Sequence, residues 1–195
     1  MADGRLELAV WRHPKPIGAA GRCIGQTDLP VDPRRAKRLA HRIRQTARRE
    51  GLPHVVATSP LRRGADVGRW LRRWGWRHQI DARLIELDFG AWDGQRWSAI
   101  AYAEVLAWEA AFLHHAPGSG ESLLQLHARL VDALAAVRAG QLPRLVVGHA
   151  GWITLLGCLD GVAQGTLTAA TWPAPPRYGQ GIRHPVQHPV PSAAF

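Results

Sequence analysis

Three short apolar runs, each breaking off into polar residues, set the narrowest limit on what this chain can fold into. Leu6 to Trp11 runs into Arg12-His13-Pro14, His54 to Ala57 into Thr58-Ser59-Pro60, and Leu145 to Val147 into Gly148-His149-Ala150-Gly151. Apolar runs this short read as buried strands rather than helices. Helical periodicity fills the spaces between them. Asp32-Pro33 reads as an N-cap followed by proline at the first helical position, where a missing N–H costs nothing. Ala36, Leu39, Ala40, Ile43 and Ala47 then mark one apolar face, and Gly51 ends the helix. A second helix is expected from Leu61 to Trp74. A third starts at Ser122, which forms a capping-box pattern with Gln125, and carries Leu123, Leu126, Leu130, Leu134 and Val137 on one face.

The remaining segments are less regular. His78 to Leu84 predicts a further strand, and 97–114 one or two helices rich in Ala and Trp. A Pro-rich end beyond Thr171 holds a possible strand near Tyr178 to Arg183. Alternating strands and helices with buried strands predict one α/β domain over 1–195. It would be a three-layer α/β/α arrangement around a largely parallel sheet, with a small helical insertion at about 95–120 over the strand C-terminal rim and a Pro-rich tail at about 173–195. In such sheets ligands bind beyond the carboxyl ends of the strands. Arg12-His13, Thr58-Ser59 and Gly148-His149 would therefore meet on one rim.

Composition narrows the function classes. Of the residues, 46% are apolar and 21% charged, and no apolar run approaches the roughly 20 residues of a membrane-spanning helix. The first residues lack the apolar stretch of a secretion signal, so a cytoplasmic location is expected. Cys23 and Cys158 have no metal-ligand spacing and read as reduced thiols. The net charge of +10 is mostly arginine, concentrated in Arg34, Arg35, Lys37, Arg38, Arg42, Arg44, Arg48 and Arg49 on the first helix. No aromatic residue interleaves with that cluster and no nucleic-acid-binding signature is present, which weighs against nucleic acid as the main partner. A small phosphorylated metabolite is the expected partner; oligomeric state stays open.

His13 is the candidate nucleophile. Arg12 beside it disfavours the imidazolium, keeping a neutral nitrogen available, and its guanidinium can bind phosphate oxygens through paired donors. Around it, Arg12-His13, Ser59-Pro60-Leu61-Arg62-Arg63, the block Glu86 to Gly94 and Val147-Gly148-His149 resemble, in order and approximate spacing, the histidine phosphatase (phosphoglycerate-mutase-like) superfamily. Gly25 to Pro30, Phe89 to Gly94 and Gly120-Glu121-Ser122 are most similar to its α-ribazole phosphatase branch. The resemblance covers residues 6–157. It implies that His13 is transiently phosphorylated and that Arg12, Arg63 and His149 clamp the phosphoryl oxygens. Glu86 would protonate the leaving oxygen and then activate water. Such chemistry is mostly positioning and electrostatic stabilisation, which fixed cations supply, so no metal or other cofactor is expected. Lys15, Thr27 and Ser59 are further candidates for substrate contact.

Each role has a competitor. Arg62 adjoins Arg63, and Asp88 and Asp93 lie near Glu86; the family spacing selects Arg63 and Glu86. Most members carry glycine after the nucleophilic histidine, where this chain has Pro14, which lacks a backbone N–H. The leading expectation is a metal-independent phosphomonoesterase, most specifically one acting on α-ribazole 5′-phosphate in cobalamin biosynthesis. Its rivals are phosphoglycerate-mutase-type transfer, which would need a longer insertion to exclude water, and a basic binding module inactivated at Pro14. His114-His115, His184-Pro185 and His188-Pro189 lack metal-ligating partners, and the tail is expected to be disordered or laid on the surface.

Overall fold

The computed structural model describes residues 6–186. Four parallel strands, β1 (Glu7–Arg12), β2 (Val55–Thr58), β3 (Arg77–Ile80) and β4 (Leu145–Gly148), and one antiparallel strand, β5 (Gly181–Pro185), form a single sheet in the order β3-β2-β4-β1-β5. The order puts β1, β4 and β2 in the middle, and these are the strands ending in the polar doublets.

Period-two alternation sends each central strand's side chains to both faces. Ala9, Trp11, Val56, Leu145 and Val147 pack under α1 (Pro33–Arg49) and α2 (Arg62–Arg73). Leu8, Val10, Ala57 and Val146 pack against the opposite layer. That layer contains α4 (Leu123–Arg138), α5 (Ala150–Leu156) and α6 (Leu159–Ala163). The three-layer α/β architecture is as expected. Asp32 caps α1, its carboxylate accepting from the N–H groups of Arg34 and Arg35, and Ser122 and Gln125 close a capping box on α4.

Three local expectations change. β3 stops at Ile80, because the Asp81 carboxylate accepts from Arg83 N at 2.9 Å and turns the chain into a 3-10 turn over Ala82–Leu84. The segment 97–114 splits into a 3-10 turn at Trp97–Ala99 and α3 (Tyr102–Ala110), which buries none of its residues. The Pro-rich end is no surface-laid tail across the described residues. A turn at Gly179 (φ +72°) feeds β5, which pairs along β1 from Gly181 opposite Trp11 to Pro185 opposite Glu7. His184 lies within that edge strand; Pro185 ends it, where one missing N–H is tolerated. His188-Pro189 fall outside the described residues.

Candidate active site

Because β1, β2 and β4 run parallel, His13, Ser59 and His149 emerge at one rim. The His13 and His149 ring centroids are 5.0 Å apart, and Arg63 joins them from the first turn of α2. All three are buried, Arg63 to 1% exposure, whereas Arg62 is exposed.

His13 Nδ1 lies 2.7 Å from the carbonyl oxygen of Pro14. A carbonyl only accepts, so Nδ1 carries the proton and Nε2 keeps its lone pair. Proline loses an N–H here but retains the carbonyl that fixes the tautomer. Burial, and after it the Arg63 charge, holds the His13 pKa down to about 3; the Pro14 bond opposes this and Arg12 adds the smallest push. Arg12 therefore acts in the expected direction, but burial does most of the work.

Arg63 is held by three acceptors. Its Nε donates to His149 Nδ1 at 3.1 Å, Nη1 to Thr27 O at 2.8 Å, and Nη2 to Gly25 O. With Nδ1 accepting, His149 carries its proton on Nε2 and donates it to Ser59 Oγ at 2.7 Å. Ser59 therefore bonds to His149 and fixes its ring, and both His149 nitrogens are engaged. Burial first, then Arg63, pushes the His149 pKa well down. Thr27 contributes its main chain to the site by holding Arg63.

The loop carrying Gly25 and Thr27 is itself propped. Asp93 accepts from the N–H groups of Gly25, Gln26 and Thr27 at 2.9, 2.7 and 2.7 Å. Asp28 accepts from Arg62 N at 2.7 Å, at the start of α2 where the N-cap residue Leu61 offers no side-chain bond. Two sequence blocks far apart in the chain thus form one support for Arg63.

Glu86 is buried against the start of α5. Its Oε2 accepts from Gly151 N at 3.0 Å and its Oε1 from Trp152 N at 3.2 Å and Leu87 N at 3.0 Å. Orphan amides of a helix's first turn are thereby satisfied from a remote segment. A Cβ on Gly151 would lie 2.7 Å from Oε1, so only glycine permits this approach. Asp88 accepts from Gly90 N at 2.8 Å and Asp93 is occupied as above; of the three, Glu86 alone lines the cavity. Arg129, paired with Glu121 at 2.7 Å, donates to the carbonyls of Arg83 and Ile85 and steadies the Glu86 segment.

Arg12 donates through Nη1 to Pro176 O at 2.8 Å and lies 3.9 Å from the Tyr178 ring centroid; its buried Nε has no partner. Tyr178 is also 5.7 Å from the His13 ring. A cavity of about 510 Å³ is lined by Arg12, Glu86 and Tyr178 but not by His13, Arg63 or His149, which are buried behind Arg12 and Tyr178. Phe89, Trp97, Trp108, Phe112, Trp172 and Tyr178 line it, and Arg22 and Glu109 add charge. Sequence reasoning missed this aromatic wall and Tyr178; the signal was the nine tryptophans, two of them, Trp97 and Trp108, in the insertion. Lys15 is exposed and lines a different cleft. Among the described residues no group of three His, Cys, Asp or Glu side chains could hold a metal ion, and no helix is long and apolar enough to cross a membrane. Both cysteines are free; burial pushes the Cys23 thiol up to about 12.

The chain is a phosphoric monoester hydrolase by its family. It belongs to the histidine phosphatase superfamily (branch 1), whose profile matches residues 8–170. A curated relative from Yersinia enterocolitica, "Probable phosphoglycerate mutase GpmB", is 29% identical over 79% of this chain and 73% of its own length. A mycobacterial glucosyl-3-phosphoglycerate phosphatase solved with inorganic phosphate is 26% identical with a TM-score of 0.70, covering 92% of this chain and 88% of that one. An Escherichia coli structure solved as a candidate alpha-ribazole-5'-P phosphatase, 21% identical, has a TM-score of 0.70 over 92% of this chain and 89% of its own; that likeness is one of fold.

The buried histidines make stability depend on pH. The unfolded chain protonates them near 6.5, while His13 resists to about 3 and His78 to about 4, both held down chiefly by burial. Between those values the unfolded state binds more protons, so stability falls as pH drops, by about 1.4 kcal/mol per pH unit for the buried His13 and by less for the more solvent-screened His78. Urea midpoints should decline from pH 6.5 to 4, and less steeply in His13→Gln. An unchanged slope in that variant would contradict the assignment.

Proposed function

We propose that this protein is a metal-independent phosphatase that hydrolyses a small phosphomonoester through a phosphohistidine on Nε2 of His13. The observation carrying this reading is the His13 Nδ1–Pro14 O bond, which leaves Nε2 bare in a buried site beside two arginines. Nε2 forms the N–P bond as the P–O bond to the leaving group breaks. Glu86, as the general acid, delivers a proton to that oxygen. Water then attacks phosphorus, Glu86 takes a proton back, and the N–P bond breaks to release phosphate. Arg12, with its unpartnered Nε, and Arg63 stabilise charge on the equatorial oxygens. His149 joins them by turning its Nε2 proton from Ser59 to a phosphoryl oxygen.

The aromatic wall supports a leaving group with a flat, apolar body. Among the substrates that the resemblance and the relatives' names suggest, α-ribazole 5′-phosphate fits that wall best; 3-phosphoglycerate and its glucosyl ester offer little for six aromatic rings to contact. Cytoplasmic cobalamin assembly is the corresponding setting.

The test is hydrolysis of an aryl monophosphate with EDTA present, followed by quenching in alkaline detergent to trap an acid-labile, base-stable phosphoenzyme. Unchanged rates with chelator and a trapped intermediate are expected. Loss of activity in EDTA, restored by a divalent metal, would rule the reading out. In a substrate panel, kcat/KM should be highest for α-ribazole 5′-phosphate, with free phosphate as product; isomerised phosphoglycerate would point to the mutase reaction instead.

A further inference from the structure

We infer that a second site for a phosphate-type polyanion lies beside the catalytic pocket, in the cleft between α1 and residues 176–180. Arg35, Arg38 and Arg42 recur at spacings of three and four on one face of α1. With Lys15, Tyr178 and Gly179 they line a cleft of about 280 Å³. The lining contains no carboxylate, and among the described residues no ion pair engages any of the four cations. The wider charge distribution points the same way. Residues 33–77 hold 14 of the 25 Lys and Arg but 2 of the 15 acidic residues, so the rest of the chain is slightly acidic and the whole positive excess sits in this layer. Like charges this close repel, and an anion with several oxygens removes that cost while accepting paired guanidinium donors.

The cleft and the catalytic pocket share a wall. Tyr178 lines both. Arg42 Nη2 donates to Gly179 O at 2.7 Å, and Gly179 N donates to Arg12 O at 2.9 Å. An anion that engages Arg42 competes with Gly179 O, and so bears on the segment that holds the Arg12 guanidinium through Pro176 and Tyr178. The ligand is a diphosphate or a phosphate ester with a further anionic group. It can be a free effector or a second phosphate carried by the substrate.

Pyrophosphate is the probe, titrated calorimetrically into the intact chain with vanadate saturating the catalytic pocket. Wild-type protein should bind it, and Arg35→Gln/Arg38→Gln should bind it at least about tenfold more weakly. The same variant should keep kcat and KM for an aryl monophosphate within about twofold. If the anion is carried by the substrate, the variant raises KM for a sugar bisphosphate but not for its monophosphate. If it is free, KM stays put for both, and only the wild type shows an effect of pyrophosphate on kcat. Equal pyrophosphate affinity in the two proteins, or none in the wild type, overturns the site. The binding comparison needs no turnover, so it stands apart from any failure of the proposed phosphatase reaction.

Discussion

His13→Ala is expected to lower kcat by about four to six orders of magnitude, the scale seen when an enzyme loses a nucleophile that acts as part of a unit. No other described side chain offers a bare imidazole nitrogen at the site: His149 has both nitrogens engaged, Nδ1 by Arg63 and Nε2 by Ser59. The trapped phosphoenzyme should vanish with the activity. Stability at pH 7 should change little beyond the cavity left by the ring, because His13 is neutral there and the ring's one protein hydrogen bond is to Pro14. Wild-type turnover by this variant would remove His13 from the mechanism.

Arg63→Ala carries the second large effect, on folding as well as rate. The substitution strands His149 Nδ1, Thr27 O and Gly25 O in a buried setting. At 1–3 kcal/mol for each buried group left unpaired, part of it recovered by entering water, the loss should be about 3 to 6 kcal/mol. Turnover should fall by about a thousandfold or more in whatever fraction folds, as when a fixed transition-state donor is removed. Arg63→Lys should not rescue either property, because an ammonium cannot bridge three acceptors lying in different directions. The exposed neighbour supplies the control: Arg62→Ala should stay within about 0.5 kcal/mol of wild type. Chemical denaturation of the three variants side by side decides the matter, and similar losses in Arg62→Ala and Arg63→Ala would refute the reading.

What could be read in the sequence was what lies along the chain. Strand ends, the α1 cap at Asp32, the capping box at Ser122 and the spacing that singles out Arg63 and Glu86 are all local patterns, and the structure brings His13, Arg63 and His149 into one cluster. What could not be read depends on meetings across space. Ser59 looked like a substrate contact because nothing in its neighbourhood reveals that His149 claims its hydroxyl. Asp93 looked like a rival to Glu86, and only the folded loop shows it occupied by three amides of residues 25–27. Tyr178 sat in a proline-rich stretch without periodicity, so neither its place over Arg12 nor the edge strand after it could be predicted in full. Lys15 follows His13 closely in sequence, yet opens onto another cleft.

The pairing of the earliest strand with the latest carries a consequence for how the enzyme is born. Leu8 sits opposite His184 in the register, so β1 can gain this neighbour only after nearly all of the described chain has been synthesised. Closing so long a loop is slow, and it comes late. Tyr178 and Pro176, which cover the Arg12 side of the pocket, arrive with the same segment. A nascent chain on the ribosome can therefore assemble its helices and inner strands, yet it cannot complete the chamber for chemistry until translation has passed that point.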